Sequence, residues 1–266
     1  MKMPSIFVEA VGICGPGFTG WAAATTCLQD ETLWKLQATV IPMPELLAPS
    51  ERRRIGLPVK LAIAAGCDAL KQTHLSVQSL STVFASSCAD GDNCHPICET
   101  LALTERLISP TRFTNSVHNA PSGYWGIAMQ ARAPSTSICA FDASFSAGLL
   151  EAASQCLFNQ IPVLLIAYET PYPQPLHDKR PLLESMSIAL LLAPQLSSSS
   201  QAKLDISMAS KPATAMGNVE LEKVRMGIPA ARGLPLLKLL ANKKRGAVVL
   251  EYLNPYTLQV ELDPIE

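Results

Sequence analysis

Two uninterrupted apolar segments constrain the fold of this chain most strongly. They run from Pro162 to Tyr168 and from Ser187 to Leu192. Apolar residues that follow one another without polar alternation indicate strands buried on both faces, as in sheets covered by helices on each side. The chain has 266 residues, 48% of them hydrophobic, so it can bury a core large enough for such layers. We therefore expect an α/β layered fold.

Further strands and helices alternate along the sequence, as this fold class requires. The predicted strands are Ser5–Ile13, Thr82–Ala85, Thr136–Phe141, Lys203–Met208, and a hairpin of Ala247–Tyr252 and Leu258–Leu262 that turns at Asn254-Pro255. The predicted helices are Val59–Lys71, Pro96–Leu107, Ala120–Gln130, Ser144–Asn159 and Gly233–Ala241. No linker is long enough to require a second domain, so we expect a single domain over residues 1–266.

The charge balance argues against nucleic-acid binding. Lys and Arg together number 21 and Asp and Glu number 22, which leaves no basic excess to neutralise phosphates. Only 16% of the residues are charged, so part of the surface is expected to be covered by another protein. No segment reaches the ~20 apolar residues of a membrane-spanning helix. The first residues, 1–11, lack the pattern of a signal peptide, and a cytoplasmic protein is expected.

The eight cysteines are interpreted as reduced thiols, because most lie within apolar stretches. Cys88, Cys94, His95 and Cys98 are close enough in sequence to suggest a zinc site. Their spacing lacks the paired short ligand loops of such sites, so structural thiols are favoured and no metal is expected.

The segment Gly15-Pro-Gly17-Phe-Thr-Gly20 fits the glycine pattern of dinucleotide-binding loops and follows a predicted strand. However, Pro16 separates the first two glycines, and no clear amphipathic helix follows Gly20. A plain glycine loop is the preferred interpretation, and no cofactor is expected. A small-molecule or nucleotide-binding module that uses this loop remains an alternative.

A strand that ends near Phe141 and a helix that begins near Ser144 form an elbow. Such elbows place a nucleophilic Cys or Ser at a helix N-terminus in acyl-transferring enzymes. Here the position holds Asp142, and Cys139 comes three residues earlier, where we expect it to point into the sheet. In a second polar cluster, Asn119 is positioned to cap the helix that follows His118.

Two segments resemble the β-ketoacyl synthase family. Leu107–Phe113, followed by Ser116-Val-His-Asn119 and Gly123, looks like the condensing-enzyme segment that leads into a helix. The segment from Cys139 through Glu151 is similar to the family's nucleophile strand and helix. Over roughly residues 4–195 the chain resembles the short, chain-length-factor-like ketosynthase proteins of aryl polyene clusters. Residues 196–266 form a divergent C-terminal extension with a helix and a hairpin.

The resemblance implies a thiolase-like fold that corresponds to the N-terminal half of a ketosynthase. When Glu151-Ala152 is aligned with the family's Gly-Glu-Ala, the catalytic Cys falls at Asp142, and no segment matches the family's histidine motifs. This implies a noncatalytic subunit that pairs with a full-length, active ketosynthase and, through it, with an acyl carrier protein. The strand Thr136–Phe141 would join the partner's sheet edge to edge.

The resemblance also implies an acyl tunnel near the partner. Phe113, Val117 and Tyr124 are the expected gating residues. The remaining candidate positions at the tunnel or interface are His118, Asn119, Cys139 and Phe141. The main alternative is a stand-alone acyltransferase or condensing enzyme that uses Cys139 as its nucleophile.

Overall fold

The computed structural model describes residues 3–88 and 90–265. Its described strands form one eight-stranded mixed sheet in the order β3-β2-β4-β5-β1-β6-β8-β7. The strands are β1 (Ile6–Cys14), β2 (Ser81–Ala85), β3 (Ser135–Ile138), β4 (Val163–Glu169), β5 (Met186–Ala193), β6 (Ala202–Ala209), β7 (Gly246–Glu251) and β8 (Thr257–Pro264). Strand β2 pairs in parallel with β3 and β4, and the remaining pairs are antiparallel.

Helices cover both faces of this sheet. They are α1 (Trp21–Gln29), α2 (Pro49–Arg52), α3 (Leu57–Leu70), α4 (Gly91–Ala102), α5 (Pro110–Asn115), α6 (Ala120–Met129), α7 (Ser144–Asn159), α8 (Leu176–Lys179), α9 (Val219–Gly227) and α10 (Leu234–Asn242). The predicted α/β layered fold is confirmed. The two apolar segments form β4 and β5, in which every residue is buried.

Some predicted boundaries are wrong for local reasons. Helix α4 begins at Gly91 rather than at Pro96, because the Asp90 carboxylate caps it by accepting a hydrogen bond from the Asn93 N–H at 3.1 Å. The helix ends at Ala102, not at Leu107. A helix, α1, does follow Gly20, contrary to the sequence-based expectation. Helices α5 and α9 are short and were not predicted.

The core forms two apolar layers, one on each face of the sheet. Helix α3 packs on one face against β1 through small residues. A Cβ atom at Gly12 of β1 would lie 2.0 Å from the carbonyl oxygen of Ala65, so glycine alone permits this close approach. Helix α7 packs on the opposite face, where nine of its residues are buried.

The C-terminal residues belong to the same layered structure. Strands β6, β8 and β7 extend the sheet beyond β1. A 3₁₀ turn, Pro229–Gly233, leads into α10 and packs on α7, where Gly233 lies directly against the ring of Phe145. The same turn also contacts strands β4 and β5, so it packs beside α7 on the sheet. Among the described residues, no helix is both long and apolar enough to cross a bilayer.

Candidate functional site

The elbow before α7 is built by a tight turn. Strand β3 ends at Ile138, three residues earlier than predicted, and Phe141–Ala143 form a 3₁₀ turn. The strand cannot continue through Phe141, whose φ of 52° is left-handed. The Ser144 hydroxyl donates a hydrogen bond to the Phe141 carbonyl at 2.7 Å and accepts one from the Ala140 N–H at 3.1 Å. The turn fixes the direction in which Asp142 leaves the backbone.

Asp142 lies just before the N-terminus of α7, where the helix dipole favours an anion. Its carboxylate is paired with two arginines from distant segments. One oxygen lies 2.8 Å from Nη2 of Arg180, and the other lies 3.8 Å from Nη2 of Arg232. The side chain at the elbow therefore acts as an acceptor in ion pairs.

Alternating charges continue from this elbow toward the C-terminal strands. Arg232 lies 3.4 Å from Glu251 at the end of β7, and Glu251 lies 2.5 Å from Arg225 on α9. Arg225 is also paired with Glu222 at 2.7 Å. The ion pairs thus connect the elbow to α9 and to the edge of the sheet formed by β7.

A buried carboxyl group, Glu169, ends strand β4 beside the elbow and is only 2% exposed. The Ser87 hydroxyl and N–H each donate a hydrogen bond to it, at 2.8 Å and 2.5 Å. Burial raises the pKa of Glu169 to about 8, although these hydrogen bonds and Arg180 oppose the increase. The sequence carries one signal for this group, a charged residue directly after an apolar strand.

Cys139 does not point into the sheet as predicted but is exposed, because β3 has already ended. Its thiol donates to the Ser87 carbonyl oxygen, with the sulfur 3.3 Å away. His118 is close to the neighbouring carbonyl, with Nε2 3.2 Å from the Ser86 oxygen. A carbonyl oxygen cannot take the thiol proton as a general base does, so this hydrogen bond does not provide nucleophilic activation.

A cavity of about 560 Å³ lies between α2, α5 and α6. Val117, Asn119 and Tyr124 line it, together with Asn115. The Tyr124 hydroxyl donates a hydrogen bond to Asn115 Oδ1 at 3.0 Å, which fixes one wall. Asn119 precedes α6, but its side chain does not make the predicted capping hydrogen bond. Phe113 lies outside this lining and is 65% exposed.

Strand β3 forms one end of the sheet. It pairs with β2 on one side, and the described residues place no strand on its other side. Phe141 comes three residues after this open edge ends and is 61% exposed. The edge therefore offers unpaired backbone groups beside an exposed aromatic ring.

Other residues of the same chain fill the space around the glycine loop. The Trp34 ring nitrogen donates a hydrogen bond to the Pro16 carbonyl at 3.1 Å. The Asp68 carboxylate accepts from the Trp21 N–H at 2.6 Å, so it takes the N-terminal position of α1 that a pyrophosphate would need. Near α4, the residues described include no group of three or more His, Cys, Asp or Glu side chains arranged to hold a metal.

The eight-stranded mixed sheet with flanking helices, and with a buried helix that starts at an elbow, matches the fold of thiolase-like ketosynthase N-terminal domains. The family model described as Beta-ketoacyl synthase, N-terminal domain, matches residues 21–251. The chain therefore belongs to the β-ketoacyl synthase family. A search of curated proteins found no match.

Solved structures have the same fold at low sequence identity. A structure of the ketosynthase ApeO in complex with its chain length factor ApeC, from Xenorhabdus doucetiae, is 19% identical, with a TM-score of 0.74; the match covers 97% of this chain and 100% of that chain. The ishigamide ketosynthase/chain length factor is 11% identical, with a TM-score of 0.73 and coverage of 99% and 100%. A ketosynthase from module 6 of the Bacillus subtilis bacillaene synthase is 11% identical, with a TM-score of 0.56 and coverage of 79% and only 42%.

Proposed function

We propose that this chain is a noncatalytic, chain-length-factor-like subunit that pairs with an active β-ketoacyl-[acyl carrier protein] synthase and shapes its acyl tunnel. The observation that carries the proposal is the ion-paired Asp142 at the elbow, where the family places its nucleophile. A carboxylate held by two arginines cannot form the thioester that condensation requires. The active partner would supply the nucleophile and both histidines.

The open edge of β3 supports the pairing. Its unpaired backbone groups can extend the sheet into a partner strand. Two of the similar structures are described as a ketosynthase together with a chain length factor, which suggests the same kind of partner for this chain. The acyl carrier protein would then meet the complex rather than this chain alone.

The cavity beside α5 and α6 supports a role in the acyl tunnel. Its volume of about 560 Å³ is within the usual range for a small-molecule site. Val117 and Tyr124 would set the space open to the acyl chain, while His118, Asn119 and Cys139 would lie near the tunnel or interface. Phe113 is exposed and would line the tunnel only if the partner subunit covers its side chain.

We place the whole of residues 1–266 in one domain, the protein in the cytoplasm, and the pathway in aryl polyene or related polyketide-type biosynthesis.

Coexpression with the ketosynthase encoded in the same gene neighbourhood tests the pairing. We expect a single complex in gel filtration and condensing activity only in that complex. Two separate peaks would contradict the pairing. Acyl transfer by the isolated chain that Cys139→Ala abolishes would instead establish the stand-alone enzyme.

Product length tests the tunnel. Tyr124→Ala should enlarge the cavity and lengthen the products of the complex, because the ring limits how much of an acyl chain fits. Tyr124→Phe is the matched control, since it keeps the ring and removes only the hydrogen bond to Asn115. Mass spectrometry of the released products measures the outcome, and equal product lengths for both variants would remove Tyr124 from the gate.

A further inference from the structure

Phe141 occupies an unusual position for an exposed aromatic residue. It comes three residues after the open edge strand ends at Ile138, and its backbone is left-handed, with φ at 52°. A bulky residue rarely adopts that conformation unless its surroundings hold it there. The ring is nevertheless 61% exposed, so burial of the ring does not hold it.

Arg180 supports the ring from the protein side. Its guanidinium carbon lies 3.5 Å from the centre of the Phe141 ring and 5.7 Å from the centre of the Tyr172 ring. Both distances are within the range of cation–π attraction, and the shorter one corresponds to a guanidinium stacked on the ring. Asp142 then fixes Arg180 through the 2.8 Å contact to Nη2.

We infer that Asp142, Arg180 and Phe141 form an anchor for the ketosynthase partner. The inference rests on the proposed pairing and assigns a role in association to the position that lost the nucleophile. Phe141 would insert into an apolar pocket beside the partner's edge strand. Arg180 is a positioning residue that holds the ring in place, and Asp142 holds Arg180.

Two observations favour this occupant over others. Only Cys139 and Ala140 separate Phe141 from the open edge of β3, so a partner strand that pairs with this edge would bring its neighbouring side chains close to the ring. The ring is also already fixed before binding, so less side-chain entropy is lost on association than with a mobile ring. Aromatic residues presented in this way are frequent hot spots of protein interfaces.

Phe158, near the end of α7, provides a matched control. It is 89% exposed, more than Phe141, but no cation or ring within residues 3–88 and 90–265 is stacked on it. If exposure alone decided the contribution to binding, Phe158 would contribute at least as much as Phe141. The anchor predicts instead that Phe141 contributes more to binding than Phe158 does.

The test is the dissociation constant of the purified complex, measured by calorimetry for the wild type and for single and double variants. We expect Phe141→Ala and Arg180→Ala each to weaken binding at least tenfold. The double variant should be no weaker than the stronger single one, because both remove the same contact. Phe158→Ala should stay within twofold of the wild type. Asp142→Asn keeps the shape of the side chain and should weaken binding severalfold by loosening Arg180.

The outcomes separate this inference from the proposed pairing. Tight wild-type binding with Phe141→Ala within twofold would overturn the anchor and leave the pairing intact. Additive losses for Phe141→Ala and Arg180→Ala would overturn the positioning role of Arg180. Absence of any complex with the wild type would overturn both. Should Arg180→Ala fail to fold, Arg180→Lys keeps the charge without the flat stacking surface and is expected to show a smaller loss of affinity in the same direction.

Discussion

Single side chains around the elbow explain why this position is suited to ion pairing. The start of α7 favours negative charge, and Arg180 and Arg232 supply two cations at the same place. The single carboxylate of Asp142 interacts favourably with the helix N-terminus and with both arginines. Glu169 lies nearby in a different environment, since its burial favours the neutral acid. The two carboxyl groups of this site therefore have different surroundings: Asp142 is paired with two arginines, and Glu169 is buried.

The raised pKa of Glu169 predicts a pH-dependent stability. The folded-state value of about 8 lies above the ordinary 4.5, so the folded protein binds this proton more tightly than the unfolded chain does. Stability from this group is fully present below pH 4.5 and falls as the pH rises toward 8. We expect Glu169→Gln, which cannot ionise, to lose less stability between pH 5 and pH 8 than the wild type.

Urea unfolding at both pH values measures this difference. Glu105→Gln, a change at an exposed carboxyl group, serves as the control and should follow the wild type. An equal pH dependence in all three proteins would show that Glu169 titrates normally in the folded state.

The sequence could locate the elbow but not its partners. The pattern of a strand followed by a small-residue helix placed Asp142 just before α7, as observed, because strand, turn and helix are local features. Arg180 and Arg232 come from other segments of the chain, and nothing in their local sequence marks them as ion-pair donors to Asp142. Such contacts depend on the packing of β4, β5 and the C-terminal turn.

Secondary-structure elements were easier to predict where their packing leaves a regular pattern. The strands β4 and β5 are buried throughout, and α7 has the bounds that its pattern predicted. Strand β3 was predicted too long because apolar residues continue to Phe141, whereas its pairing with β2 ends at Ile138 and the chain turns through a left-handed backbone at Phe141. Helix α4 was displaced because a cap at Asp90 outweighs the preference of Pro96 for a first turn.

Because α7 packs closely on the sheet, replacing a glycine of this helix by alanine is predicted to destabilise the fold rather than to stabilise it. An added Cβ atom at Gly148 would lie 2.6 Å from the Ala85 Cβ and 2.9 Å from Leu165 Cδ1. We expect Gly148→Ala to destabilise the fold by about 1–3 kcal/mol, because the overlap outweighs the better helix propensity of alanine. The free energy of unfolding in urea measures the effect.

The matched control is Gly123→Ala in α6, where an added Cβ atom would meet nothing within 4 Å. That change should stabilise the protein by about 0.5–1 kcal/mol, since alanine loses less backbone entropy in a helix. Changes of the same sign in both variants would contradict the close packing of α7.

At the level of the whole molecule, the C-terminal residues complete a core that begins with β1. One apolar layer combines side chains of β1, β4 and α7 with those of β6, β8 and α10. The sequence showed the C-terminal hairpin but not its place in the sheet, because the pairing of β6 with both β1 and β8 joins residues far apart in the chain. The ion pairs between Asp142, Arg232, Glu251 and Arg225 connect the same two regions.

Glu251 is the residue through which this connection can be tested. Its carboxylate contacts Arg225, whose side chain is only 4% exposed, and Arg232. Glu251→Gln leaves Arg225 paired only with Glu222 and Arg232 paired only with Asp142, so we expect the change to lower the free energy of unfolding by about 2 kcal/mol. Glu220→Gln breaks the exposed pair with Lys223 and should cost less than about 1 kcal/mol. Urea unfolding compares the two variants; equal losses would show that the ion pairs at Glu251 contribute no more than an exposed pair and do not stabilise the connection between the elbow and the C-terminal strands.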